Sequence, residues 1–234
     1  IQSELTDKLS VTAITPKFVD PENVYLETTV TFDYDPDLTG LTAGNLSNKV
    51  NTTVEAYFAT LEGFGKTFRR STMLTLIDAC DESILSSKAD MMMNLRFKPV
   101  FGSSSTFSYE VNFPAAIRKP DDVEYSVQTS NFEISGATAY IRNKLKTTTL
   151  ELVNATTKEV ITDDVGSYDP EKAEVFISKI TPLSSTNGSD YIEVRVTPAN
   201  QAVIKPLRNY IVALDKSRLV SNPIRDDQNT KVTL

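Results

Sequence analysis

Three carboxylates at alternate positions, Asp33, Asp35 and Asp37, are the arrangement that opens a calcium-binding loop. The rest of that loop is missing. Leu38 stands where the sharp turn needs Gly, and Gly44 where a bidentate Glu closes the site. The run therefore reads as a solvated turn that ends one element and launches the next. Adjacent carboxylates occur at Asp121/Asp122, Asp163/Asp164 and Asp226/Asp227. A dyad that shares one proton needs both groups on one side, and neighbours on a strand point to opposite faces. Each pair is expected in a turn or tail, where Asp bonds nearby backbone. Gly63-Phe64-Gly65 lacks the Gly-Lys-Ser/Thr of a phosphate loop and follows a helical pattern where such a loop needs a strand. Cys80 has no basic sequence neighbour to lower its pKa, so it reads as an inert, packed thiol.

The histidine count is zero. That removes Ser-His-Asp and Cys-His machineries, His-ligated zinc and the commonest general base near neutral pH. With one cysteine, no disulfide scaffold forms within the chain. The formal charge of −7 disfavours nucleic acid or an anionic membrane as main partner, since both reward dense Lys and Arg. The small basic cluster Lys66, Arg69 and Arg70 reads as a solvated helix end. No apolar run approaches the length of a membrane-spanning helix. Four glycosylation sequons, at Asn45, Asn51, Asn154 and Asn187, are read as chance triplets in a chain rich in Asn, Ser and Thr, and two fall within an expected helix. No catalytic residue, cofactor site or metal site is assigned, and the chain is expected not to be an enzyme. It opens on Ile1 without a signal segment, and is read as a fragment or processed product of a longer protein.

The elements around these residues follow from periodicity. Residues 24–34 alternate, with Val24, Leu26, Val30, Phe32 and Tyr34 on one face, which predicts a strand. Leu46, Val50, Val54, Tyr57, Phe58 and Leu61 recur at helical spacing, with Thr42 as N-cap and Gly63 as the stop. A short second helix is expected over 71–80, capped by Ser71, with Met73, Leu74 and Ile77 inward. Strands over 91–97 and 107–113 are expected to pair as a hairpin through a loop at 102–105, and one or two of Met91, Met92 and Met93 to face the core. The order predicts a mixed sheet covered by two helices, an α+β unit over 1–118. The charged, Pro-containing stretch 117–122 reads as a linker. Beyond it, strand-like runs at 132–134, 137–141, 148–153, 160–162, 174–180, 191–196 and 210–214 predict an all-β domain over 119–234, a sandwich or partial barrel. The last dozen residues are expected to be extended, frayed or docked on a neighbour.

The run DPDLTGLTAGN at 35–45, the helix that follows it to Tyr57, and FGKTFRRSTMLTLID at 64–78 resemble the baseplate J-like wedge proteins of contractile-tailed phages, in particular the T4-type wedge subunit. DVGSYD at 164–169 leading into 173–180, then 191–198 and RNYIVALD at 208–215, is similar to the C-terminal β region of that subunit. Full-length members are longer, so the chain resembles their C-terminal part. The resemblance implies a structural subunit that dimerises within the inner baseplate ring and binds other wedge proteins. It also implies a place in the virion tail baseplate, assembled in the host cytoplasm. Candidate subunit-interface residues are Phe64, Phe68, Arg69, Arg70 and Met92. The alternative class, an extracellular β-sandwich adhesin or receptor-binding module, is motivated by the sequons and the β-rich second half.

Overall fold

The computed structural model describes residues 22–103, 105–206 and 210–227. Strand β1 (Glu22–Tyr34) buries every second residue, from Val24 through Leu26, Val30 and Phe32 to Tyr34, as its alternation predicts. Thr28 shares that register and is fully buried, and its hydroxyl has no partner among the described residues.

Helix α1 (Ala43–Ala59) begins at Thr42, whose Oγ1 accepts the Asn45 N–H at 3.3 Å. Its stripe of Leu46, Val50, Val54, Tyr57 and Phe58 is buried. The helix stops earlier than Gly63. Thr60 caps it, its hydroxyl donating to the Tyr57 carbonyl at 2.7 Å, and Gly63 shapes the following loop instead. Helix α2 (Arg70–Asp78) buries Met73 and Ile77. It has no Ser71 cap. Strand β2 (Phe68–Arg69) pairs with β13 (Val203–Ile204), and the Arg70 N–H donates to the Ala202 carbonyl at 2.9 Å. A distant segment thus satisfies the first orphan donor and sets where the helix starts.

Strand β3 (Ile84–Phe97) is longer than expected, because its first half, ILSSKAD, is too polar to show a clean alternation. Met91 and Met93 are buried and Met92 is half-buried, so the core reading of the methionines holds. The expected hairpin does not form. β4 (Phe107–Asn112) pairs with β10 (Glu174–Ile180), since both edges of β3 are occupied, by β1 and by β12 (Ile192–Val196). Alternation reports which face a strand buries and leaves its neighbour undetermined.

The remaining strands are β5 (Val127–Thr129), β6 (Phe132–Ile134), β7 (Ala137–Asn143), β8 (Thr149–Asn154), β9 (Val160–Asp169), β11 (Ser184–Ser185), β14 (Tyr210–Leu214) and β15 (Val220–Arg225). One mixed sheet runs β14-β1-β3-β12-β5-β7-β8-β9-β10-β4, with β15 also against β1. The pairs β1–β14 and β1–β15 are parallel and the other pairs antiparallel. The sheet curls until its last strand meets its first ones. The Phe97 and Tyr109 rings lie 4.9 Å apart, and the Tyr210 hydroxyl donates to the Asn112 carbonyl. The fold is α+β, with two helices on a sheet that continues into an all-β region. At Gly166 (φ +137°) an added Cβ would lie 2.0 Å from the Phe176 carbonyl oxygen, so strand β9 requires glycine there.

Around the expected boundary, Ile117 is buried and bridged to Pro198, and the Arg118 N–H donates to Thr197 at 2.8 Å. Pairing crosses 118/119 in both directions. β12, β14 and β15 lie against β3 and β1, while β4 joins β10. Strand β15 docks part of the tail on β1, and residues 228–234 lie outside the described residues.

Candidate interaction surface

Helices α1 and α2 form an antiparallel pair on the apolar face of β1 and β3. At one end the Tyr57 hydroxyl accepts the Arg69 N–H at 2.8 Å and donates to the Arg69 carbonyl at 3.1 Å. At the other end Lys49 pairs with Asp81 at 2.9 Å. Phe68 stacks on Phe58 at 5.5 Å and meets Tyr57 edge-on at 5.9 Å.

This packing corrects one expectation. Phe68 is fully buried and anchors the helix pair from within, so its ring is not available to a partner. Phe64 is the opposite case, 59% exposed between Gly63 (φ +108°) and Gly65 (φ +73°). Both glycines sit in the left-handed region that a side chain resists, and the turn they make presents the ring outward. Lys66 and Arg69 are exposed on the same connection, whereas Arg70 is half-buried and donates to the Ala89 carbonyl at 3.2 Å. Met92 lies in strand β3, which Arg70 reaches at Ala89. It pairs in register with Glu27, on the sheet face away from the helices.

That second face holds a charge cluster that sequence reading missed. Arg218 bridges Glu27, at 3.1 Å, and Glu193, and it also approaches Asp215 at 3.7 Å. Arg195 lies 3.8 Å from Glu27, and Arg96 lies 3.5 Å from Glu193. The Arg96 guanidinium sits over the rings of Tyr25 and Tyr191, at 4.4 and 4.6 Å. Burial pushes the Glu27 carboxyl above its ordinary range; Arg195 and Arg218 oppose this, while Asp215 and Glu193 add to it. The same row continues through Gln128 to Arg142, whose Nε donates to Glu151 at 2.8 Å. The only early signal was the alternation of Glu193 and Arg195 with buried valines. The contacts themselves join residues far apart in the chain.

The carboxylates singled out in the sequence serve the fold. Asp33 accepts from Ser86 Oγ at 2.7 Å, and Asp35, buried, caps the turn Pro36–Leu38 through the Asp37 N–H at 2.9 Å. Asp163 and Asp164 lie in strand β9 rather than in a turn. They point apart, to Lys144 at 2.7 Å and Lys179 at 3.4 Å. Cys80 is half-buried. Burial raises its pKa more than Thr53 and the nearby Lys49 lower it. Among the described residues no group of three or more His, Cys, Asp or Glu side chains is placed to hold a metal ion. No helix among them is long and apolar enough to cross a membrane. Glu27 and Glu193 share one arginine, Arg218.

Residues 22–95 match the family model for baseplate structural protein gp6, C-terminal domain III. The matched segment coincides with β1, α1, α2 and most of β3, so this helix-covered unit is similar to a structural domain of a phage baseplate protein. No curated protein matches the chain.

Proposed function

We propose, from the likeness of residues 22–95 to the C-terminal domain III of baseplate structural protein gp6, that the chain is a non-enzymatic structural subunit of a contractile-tail phage baseplate. It self-associates into the inner baseplate ring and binds other wedge proteins of the baseplate. Its place is the virion tail baseplate, reached by assembly in the host cytoplasm. The single observation that carries this reading is the match itself, which covers the strand, Pro turn, helix, helix and strand as one unit.

The chemistry of the surface agrees with a building block. Charged side chains on the helix-free face are engaged with one another, as Arg218 is with Glu27 and Glu193. Phe64 stands exposed on a glycine-built turn, the form of an anchor for another protein. Two measurements test the reading. Mass spectrometry of purified tail baseplates should find the chain, and light scattering of the full-length protein should show dimers or larger rings. A protein absent from baseplates, or monomeric at every concentration and without wedge partners, would sink it.

A further inference from the structure

Of the asparagines in the chain, only Asn187 is followed by glycine. The pair lies in an exposed turn between β11 and β12, and opens the triplet Asn187-Gly188-Ser189 that has no role in the surface described above. An asparagine amide and the next main-chain nitrogen are close enough along the chain to close a ring on each other. They react where the amide carbonyl is polarised and where the nitrogen is unhindered and not committed elsewhere.

Asn154, Asn187 and Asn200 fold their side chains back on the chain in the same way. Asn154 Oδ1 accepts the Thr156 N–H at 2.8 Å, Asn187 Oδ1 the Ser189 N–H at 3.1 Å, and Asn200 Oδ1 the Ala202 N–H at 2.9 Å. At Asn187 the Ser189 hydroxyl also lies 2.7 Å from Oδ1, with the Tyr191 carbonyl and Ser185 Oγ as its other neighbours at 2.8 and 3.2 Å. A donor on Oδ1 draws charge onto the oxygen and holds it as Cγ becomes tetrahedral. The amide is thus prepared in each of these turns, and the following nitrogen distinguishes them.

After Asn154, the Ala155 N–H donates to the Thr138 carbonyl at 2.8 Å, so that nitrogen is engaged, and its β-carbon hinders approach. After Asn200 stands Gln201, with a longer side chain. Gly188 has none. Its N–H reaches the Ser185 carbonyl only at 3.4 Å, beyond the usual range of such a bond, and both Asn187 and Gly188 are open to water.

We infer that Asn187 is a site of spontaneous self-modification, its amide being converted by the Gly188 nitrogen, through a cyclic succinimide, to aspartate and isoaspartate. The Gly188 nitrogen gives its proton to a solvent base and bonds to Asn187 Cγ. The Cγ–Nδ2 bond breaks, and Nδ2 takes up a proton and leaves as ammonia. Water then opens the imide. Attack at Cγ gives aspartate, and attack at the Asn187 main-chain carbonyl carbon gives isoaspartate. Nothing is oxidised or reduced. The reaction needs no partner, so it is independent of the baseplate reading. Isoaspartate routes the main chain through Cγ and lengthens it by one carbon, in the turn where Ser185 Oγ donates to the Ser189 carbonyl at 2.5 Å.

The folded chain, held at mildly alkaline pH in water enriched in heavy oxygen and then digested, tests this by mass spectrometry. Residue 187 gains one heavy oxygen, with isoaspartate confirmed by an isoaspartate-specific methyltransferase, and does so about tenfold or more faster than Asn154 or Asn200, the scale on which positioning acts. Gly188→Ala places a methyl where nothing stands within 4 Å, and slows the conversion by about tenfold or more. Its backbone at φ +72° resists a side chain, so circular dichroism and thermal melting check that it folds. A second variant, Ala155→Gly, creates the same dipeptide in the turn whose nitrogen is already bonded to Thr138, and Asn154 there still converts far more slowly than Asn187. The inference is overturned if Asn187 keeps its amide, if Gly188→Ala converts as fast as the unaltered chain, or if Asn154 in Ala155→Gly keeps pace with Asn187.

Discussion

The two faces of the β1–β3–β12 sheet are one residue out of step and are stabilised in opposite ways. Toward the helices, Leu26, Met93 and Val196 stand in one row, with Val30, Ala89 and Met91 nearby, all buried. That face is held by apolar area removed from water, which is non-directional and tolerant of partner identity. On the other face Tyr25, Asn94 and Arg195 stand in register, beside Glu27, Glu193, Arg96 and Arg218. There each buried charge depends on named opposite charges, so removing one partner strands another. Asn94 Oδ1, Arg195 Nε and Asp215 Oδ2 are buried without hydrogen-bond partners among the described residues. The apolar face is redundant; the ionic face is a closed set with little spare capacity.

The largest expected effect comes from breaking both faces together. A fragment of residues 22–118 lacks β12, β14 and β15, which flank β3 and β1, so it is expected to remain unfolded by circular dichroism. A cooperative melt of that fragment would instead uphold 1–118 as a self-sufficient domain. On the apolar side, Phe68→Ala removes a fully buried ring stacked on Phe58 and should cost about 3–5 kcal/mol in chemical denaturation.

On the ionic side, Arg218→Met leaves Glu27 and Glu193 short of their shared cation. Because Arg218 is 32% exposed, the expected loss is about 2 kcal/mol, below that of a fully buried pair. Denaturation of Glu27→Gln/Arg218→Met against the single variants isolates their coupling, and purely additive losses would dissolve the cluster as a unit.

The gentlest test is titration. Glu27 is raised above 4.5 by burial, so the stability tied to its protonation is present below about 4.5 and lost as pH rises through its folded pKa. Asp81 behaves oppositely. The Lys49 hydrogen bond holds it below 3.8, so its contribution is present above about 3.8 and lost as pH falls through the folded value. Carbon-13 NMR of the two carboxyls should place Glu27 above and Asp81 below the ordinary value for its type, and two unshifted titrations would erase the contrast.

Local elements were legible because their signal repeats within a few residues. The alternation of β1 and the stripe of α1 each state which side is buried, and both hold. The start of β3 was hidden in polar residues, and Ser71 looked like a cap because nothing local reveals that Ala202 receives the Arg70 N–H. Phe68 and Phe64 are the same residue type in one short linker. One is sealed beneath the helices and the other stands exposed on its glycine turn, and spacing could not separate them.

By itself the sequence determined that this protein has no histidine chemistry, that its first half is a strand and helices with defined buried faces, and that 22–95 resembles a baseplate domain. The tertiary structure alone decided that β4 joins β10, that Arg218 meets Glu27 and Glu193, and that Phe68 is sealed beneath the helices while Phe64 stands exposed. Periodicity is a property of neighbours along the chain, whereas strand pairing and charge pairing depend on which edges and faces remain open after the chain has folded back on itself.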